Sequence, residues 1–222
     1  ASCIPVVVPD GAGGVVDILG AKELSDAHAA VRTSIIEAAA ETDEALLEKY
    51  LGGEELAPGE IAAGLRRAVA TGGMSPVFAV SSIKSVGIAE LLDGVCRLFP
   101  APAEHAIADK EGAAVAADPE APFSGLVWRT VVDPFMGTLS YIRVVSGTIT
   151  PGMEVLNAST GAKEKIGTII TSVGKRQITL DEAGPGSVVA LPKLKATKTG
   201  QSLCAPTITR VFPPIGFPSP VY

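Results

Sequence analysis

The chain of 222 residues holds only three cysteines, Cys3, Cys96 and Cys204. An odd number at unrelated spacings cannot pair off into a disulfide framework. It predicts a reducing, cytoplasmic setting with no disulfide partner. Histidine is scarcer still: His28 and His105 stand alone, and no cysteine pair has ligand spacing, so no metal site is expected. Without a histidine beside a nucleophile, no Cys/His or Ser/His/Asp set can be placed, and no catalytic residue is assigned. No apolar run reaches the ~18 residues of a membrane-spanning helix, so no membrane partner is expected. The start, Ala1-Ser2-Cys3-Ile4-Pro5, lacks both an initiator Met and a basic region before an apolar stretch. It is not a signal peptide and reads as a chain entered midway. Aromatics make up 5% of the chain, and asparagine occurs once, at Asn157. Asn157-Ala158-Ser159 is a glycosylation sequon by pattern only.

What is present is globular: 47% apolar and 19% charged residues, at a length that suits one large or two small domains. The net charge of -6 is a composite, with -11 over residues 1–122 and +5 over residues 123–222. An acidic half followed by a basic half implies two domains with different partners.

Periodicity divides the chain at the same place. Residues 4–8 and 15–19 are short β-branched runs that predict strands. Ser25 or Asp26 opens a helix, and Thr42-Asp43-Glu44 starts a second that ends at Gly52-Gly53. Pro58 fits the first position of a third. Residues 76–81 predict a buried strand. Residues 87–99 predict an amphipathic helix with Ile88, Leu91, Leu92, Val95 and Phe99 on one face. Residues 106–122 are Pro-, Ala- and acid-rich without a period and are expected to be a linker. From Phe123 the helical signal vanishes. Residues 126–132, 139–145, 154–157, 164–173 and 187–191 read as strands separated by Gly and Pro turns, which predicts a closed antiparallel barrel.

Phosphate chemistry of the P-loop kind needs G-x-x-x-x-G-K-[ST]. No stretch fits, and Gly11–Gly14 lacks the lysine and the hydroxyl. Asp17-Ile18-Leu19-Gly20 matches D-x-x-G, but two fixed residues are too few to exclude chance. Ser81-Ser82-Ile83-Lys84 matches S-x-x-K without its companion motifs. In the barrel half Arg143, Lys163, Lys165, Lys175, Arg176, Lys193, Lys195 and Lys198 could contact nucleic-acid phosphates, or could simply solvate a sheet. Trp128 and Tyr141 fit a core as well as a surface. The sequence therefore predicts backbone contacts and no base-stacking surface.

Residues 37–53, Glu-Ala-Ala-Ala-Glu-Thr-Asp-Glu-Ala-Leu-Leu-Glu-Lys-Tyr-Leu-Gly-Gly, form one of five collinear stretches with a shared resemblance. The others are residues 76–93, residues 122–147 ending Gly-Thr-Leu-Ser-Tyr-Ile-Arg-Val-Val-Ser-Gly, the segments Lys165-Ile166-Gly167 and Lys193–Leu203, and residues 213–222. Together they resemble the bacterial elongation factor G family of translational GTPases. The resemblance implies an α/β C-terminal part of the GTPase domain at residues 1–105. It implies a β-barrel second domain at 123–222, ending in a lead into a third. It places the fifth guanine-nucleotide motif at Ser81, Ser82 and Ile83, where small side chains let a backbone N–H approach the guanine. The parent would bind GTP and Mg²⁺ and drive ribosomal translocation, with ribosome recycling, a release-factor-3-like role or ribosome protection as alternatives. A non-catalytic RNA-binding β-barrel adaptor is the reading outside the family.

The family's P-loop, D-x-x-G and N-K-x-D elements are not found in these residues. They are therefore expected neither to bind GTP tightly nor to hydrolyse it. The barrel would dock on small-subunit ribosomal RNA, with Arg143, Lys163, Lys165, Arg176, Lys195 and Lys198 as contact candidates. The interval from Leu19 to His28 is shorter than in the family. Ala196 and Gln201 stand where the family commonly has acids, as in a divergent paralogue.

Overall fold

The structure, a computed structural model, describes residues 2–134, 136–174 and 176–218. The chain divides into two compact units, Ala1–Pro100 and Ala101–Tyr222.

In the first unit, strand β1 (Ser2–Pro9) lies between β2 (Val15–Asp17), to which it is antiparallel, and β3 (Met74–Phe78), to which it is parallel. A parallel neighbour requires a long crossover. Three helices supply it: α1 (Asp26–Ala40), α2 (Glu44–Leu51) and α3 (Pro58–Ala70). Their starts follow the expected capping chemistry. Ser25 Oγ accepts the His28 N–H, and the Asp43 carboxylate accepts those of Ala45 and Leu46. With Pro58 at the first turn, Glu60 reaches back to the Ala57 N–H at 2.7 Å. The core joins Ile4 and Val6 of β1 to Ile35 and Ala39 of α1, and to Leu65 and Ala68 of α3.

The last helix of this unit, α4 (Ile88–Leu98), departs from the expected orientation. It buries Gly94 and Leu98, while Leu92, Val95 and Phe99 are exposed. The cause is steric. The Phe78 ring lies against Gly94, where a Cβ would sit 2.2 Å from ring atom Cε1. Only a residue without a side chain admits the ring, so the helix turns that side inward rather than the Leu92–Val95 side.

The second unit begins with a short hairpin of β4 (Ile107–Ala108) and β5 (Ala114–Val115). The composition of this segment predicts an unpatterned linker. Instead Val115 is buried with Val145 and Phe212, and the Lys110 N–H bonds the Val211 carbonyl. Two-residue strands are too short to show a period, so the sequence could not reveal them.

An eight-stranded antiparallel sheet follows: β6 (Ser124–Asp133), β7 (Gly137–Ser146), β8 (Glu154–Asn157), β9 (Lys163–Lys165), β10 (Ile169–Val173), β11 (Arg176–Leu180), β12 (Val188–Pro192) and β13 (Ser202–Cys204). Its hydrogen-bonded order is β11-β10-β12-β7-β6-β13-β8-β9. Val155 of β8 and Ile169 of β10 lie near opposite ends of that order yet share one core with Val127, Ile142, Val189 and Leu203. The sheet must therefore curl on itself. Among the described residues its two end strands, β9 and β11, do not pair, so the expected all-β antiparallel barrel is curled but not closed by a strand ladder. The single strand expected over 164–173 is two, β9 and β10, and Ile166 between them enters the core.

Candidate functional site

The residues expected to contact guanine, Ser81, Ser82 and Ile83, sit in a tight loop between β3 and α4. Ser81 and Val86 exchange two backbone hydrogen bonds, at 2.9 and 3.1 Å, which close the loop. Gly87 then enters α4 with φ of +75°, and a Cβ there would lie 2.5 Å from the Ala79 carbonyl oxygen. Glycine is required on both counts. Ile83 stands at the loop tip with 97% of its surface exposed. Within the described residues, the N–H groups of Ser82 and Ile83 bond no backbone carbonyl. Both face no internal competitor for an external acceptor, which fits a base edge. Lys84 approaches Ser81 only through its backbone N–H, at 3.4 Å to Oγ, and not as a catalytic amine.

The glycine-rich loop near the start of the chain is arranged differently. In the glycine-rich loop at 11–14 the amides of Ala12 and Gly14 both donate to the Asp10 carboxylate, at 2.8 Å each. These bonds hold the Asp10 carboxyl below its ordinary value of 3.8. The amides that would cradle an anion are thus occupied by the chain's own acid. Asp17, the acid of the D-x-x-G match, is bound by Arg97 at 2.7 Å and accepts the Leu19 N–H. Among the described residues, no group of three or more His, Cys, Asp or Glu side chains is placed to hold a metal ion.

The basic candidates of the second unit fall into separate places. Lys163 and Lys165 alternate with Glu164 on β9, so both share the face opposite Glu164. The Glu164 carboxylate accepts the backbone N–H groups of Lys195 at 2.6 Å and Ala196 at 3.2 Å, and the Thr197 hydroxyl. Asn157 is fully buried and works from the other side: its Nδ2 donates to the Ala196 carbonyl at 3.3 Å and to Gln201 Oε1 at 3.0 Å. That oxygen also accepts the Lys198 N–H at 2.7 Å.

The connection between β12 and β13 is therefore tied to the β8–β9 edge. It brings the backbone of Lys195 and Lys198 to that edge on the Glu164 side, whereas Lys163 and Lys165 point to the opposite face of β9. Lys163 also pairs with Glu154 at 3.2 Å, an exposed contact of little energetic weight. Arg143 lies mid-sheet on β7, and Arg176 lies on β11, the other end strand. Neither lies on the strand that carries Lys163 and Lys165. Lys175 lies outside the described residues. Burial of Asn157 also disposes of its sequon.

Sequence reasoning missed the two residues that assemble this flank. Glu164 opened one expected strand, and Asn157 closed another and began a sequon. Their roles come from partners more than thirty positions away. It also missed the surface position of Trp128, which is 39% exposed. The ring meets that of Tyr141 with centroids 5.8 Å apart and planes tilted by 54°.

Comparison with known proteins supplies a context for this geometry. Residues 122–206 match the family model of elongation factor G domain 2. Among solved structures, the crystal structure of a protein from Thermus thermophilus is similar, with a TM-score of 0.74 and 26% identity over 91% of this chain. The present chain spans only 32% of the length of that one.

Proposed function

We propose, from the match of residues 122–206 to elongation factor G domain 2, that the chain works within a translational GTPase that moves tRNA and mRNA on the ribosome. The domain match is the observation that carries this reading. The family implies a ribosomal partner, and the basic balance of the second half is consistent with one made of RNA. In this reading the lysine flank, Lys163, Lys165, Lys195 and Lys198, approaches small-subunit ribosomal RNA and neutralises phosphates.

GTP, when bound by such a factor, supplies the free energy for the conformational step. The residues present fit only one part of it. The free N–H groups of Ser82 and Ile83 would meet the guanine edge, whereas the glycine-rich loop is filled by Asp10 and cannot take the phosphates. Hydrolysis therefore lies outside what these 222 residues contribute in this reading.

Co-sedimentation with isolated small ribosomal subunits tests the proposal. Binding should fall steeply as salt rises, because each phosphate contact releases counterions. Lys163→Ala and Lys165→Ala should each lower the salt slope by about one. Binding that ignores salt, or a slope unchanged in both variants, counts against it.

A further inference from the structure

Strands β6 and β7 pair with an irregularity at the centre of the sheet. Val127 faces Ile142 and Arg129 faces Tyr141, so Trp128 is the extra residue of a β-bulge. A bulge breaks the strict alternation of inward and outward side chains. Here Val127 enters the core while Trp128 and Arg129, consecutive in the chain, are both exposed. Arg143 follows Tyr141 by two positions and so shares its face. It is exposed and lies opposite Val188, which is itself 48% exposed. The outer surface of β6, β7 and β12 thus carries an aromatic pair and two exposed arginines, Arg129 across from Tyr141 and Arg143 two positions along β7, where Leu126 opposite it packs against Val115 and Phe212.

Two further facts bear on what this surface meets. Among the described residues neither Arg129 nor Arg143 has an ion pair. The three strands carry a single acid, Asp133, at the hairpin end, where it accepts the Met136 N–H at 2.8 Å. The positive charge is therefore uncompensated locally and complements a polyanion. An exposed tryptophan ring beside it offers a π-face, which any nucleobase can use. A partner protein would more fittingly meet an apolar patch with its charges at the rim, whereas here exposed arginines share the strands of the rings.

We propose that the outer face of β6, β7 and β12 is a stacking platform for unpaired RNA nucleotides. A base lies against Trp128 and Tyr141, and Arg129 and Arg143 hold the adjoining phosphates. The inference rests on the reading that the second unit meets RNA. It adds a site separate from the lysine flank and a preference for single strands over duplex.

Trp128 is the only tryptophan, so the intrinsic tryptophan emission of the whole chain reports on this site alone. Titration with an unstructured single-stranded RNA of about 12 nucleotides should quench that emission saturably. The same sequence annealed into a duplex should bind more weakly and quench less. Trp128→Leu keeps apolar area but removes the ring, and should weaken binding of a labelled oligonucleotide about five- to a hundredfold. Arg129→Ala removes an exposed side chain without touching the core. It should leave the circular dichroism spectrum unchanged and lower the salt slope of oligonucleotide binding by about one.

Binding without a change in Trp128 emission would overturn the platform. So would equal affinity of Trp128→Leu and the parent, or an emission change caused by ribosomal proteins and not by RNA. Subunit co-sedimentation separates the two readings. If the oligonucleotide fails to bind while subunits are still retained through Lys163 and Lys165, the platform falls and the docking reading stands.

Discussion

The carboxylate of Glu164, midway along a three-residue strand, accepts the backbone N–H of Lys195 at 2.6 Å across thirty-one positions of sequence. A single acid thereby fixes where the Lys195 backbone stands, while that of Lys198 is held by Gln201 Oε1. Replacing it with alanine leaves the Lys195 and Ala196 N–H groups and the Thr197 hydroxyl without their acceptor. Hydrogen bonds to a charged group contribute about 1.5–3 kcal/mol each, with incomplete additivity. Glu164→Ala is expected to lower the stability of the second unit by about 2 kcal/mol, measured by thermal unfolding. It should also reduce the salt slope of subunit binding, because the Lys195 backbone is no longer held beside β9. An unchanged slope with lowered stability would confine Glu164 to a structural role.

Gly87 couples the candidate guanine loop to α4. Alanine there must adopt φ near +75° and push against the Ala79 carbonyl. Backbone cannot yield as a side-chain tip does, so Gly87→Ala should destabilise the first unit by about 1–3 kcal/mol. Hydrogen exchange at Ser81 and Val86, whose amides close the loop, should accelerate. Protection equal to the parent would show that the loop tolerates the methyl group.

Isothermal calorimetry of the 222-residue chain with GTP and Mg²⁺ should show no micromolar binding. The physical ground is that Asp10 occupies the amides of the glycine-rich loop at 11–14. Asp10→Asn, which removes the charge but keeps an acceptor, should not create tight binding either, since the sequence provides no P-loop lysine for the β- and γ-phosphates. Micromolar binding by the parent chain would refute this part of the proposal.

Glu60 receives the Lys49 ammonium at 2.8 Å and the Ala57 N–H at 2.7 Å. The lysine and then the backbone bond hold its carboxyl below the ordinary value of 4.5. A folded-state value lower than the unfolded one means the unfolded chain takes up the proton first. The stabilisation is complete above the ordinary value of 4.5 and is lost as pH falls through the lower folded value. Glu60→Gln should flatten the dependence of Tm on pH in that acidic window and leave its slope near neutrality unchanged. Identical acid limbs for parent and variant would contradict the assignment.

The outline of both units was legible because it rests on local physics. Helix starts at Ser25, Asp43 and Pro58 follow from how side chains satisfy the first free amides of a helix. The long strands β6 and β7 follow from β-branched runs between turn residues. Failures occurred where a distant partner overrides local preference. The face of α4 could not be read because Gly94 matters only once the Phe78 ring lies against it. Trp128 could not be assigned to a side because a bulge, which depends on the paired strand, breaks the alternation that such a reading assumes.

By itself, then, the sequence determined the two-part organisation, the acidic and basic halves, the lack of a phosphate-binding motif, and the residues able to carry positive charge. These are properties of composition and near neighbours. Only the tertiary structure decided which charges act together. Glu164 and Asn157 tie the segment of Lys195 and Lys198 to the edge that carries Lys163 and Lys165. The β-bulge turns Trp128 and Arg129 outward together, with the Trp128 ring against Tyr141. The reason is that strand register and curl bring together side chains far apart in the chain, and no periodicity along the sequence encodes that distance.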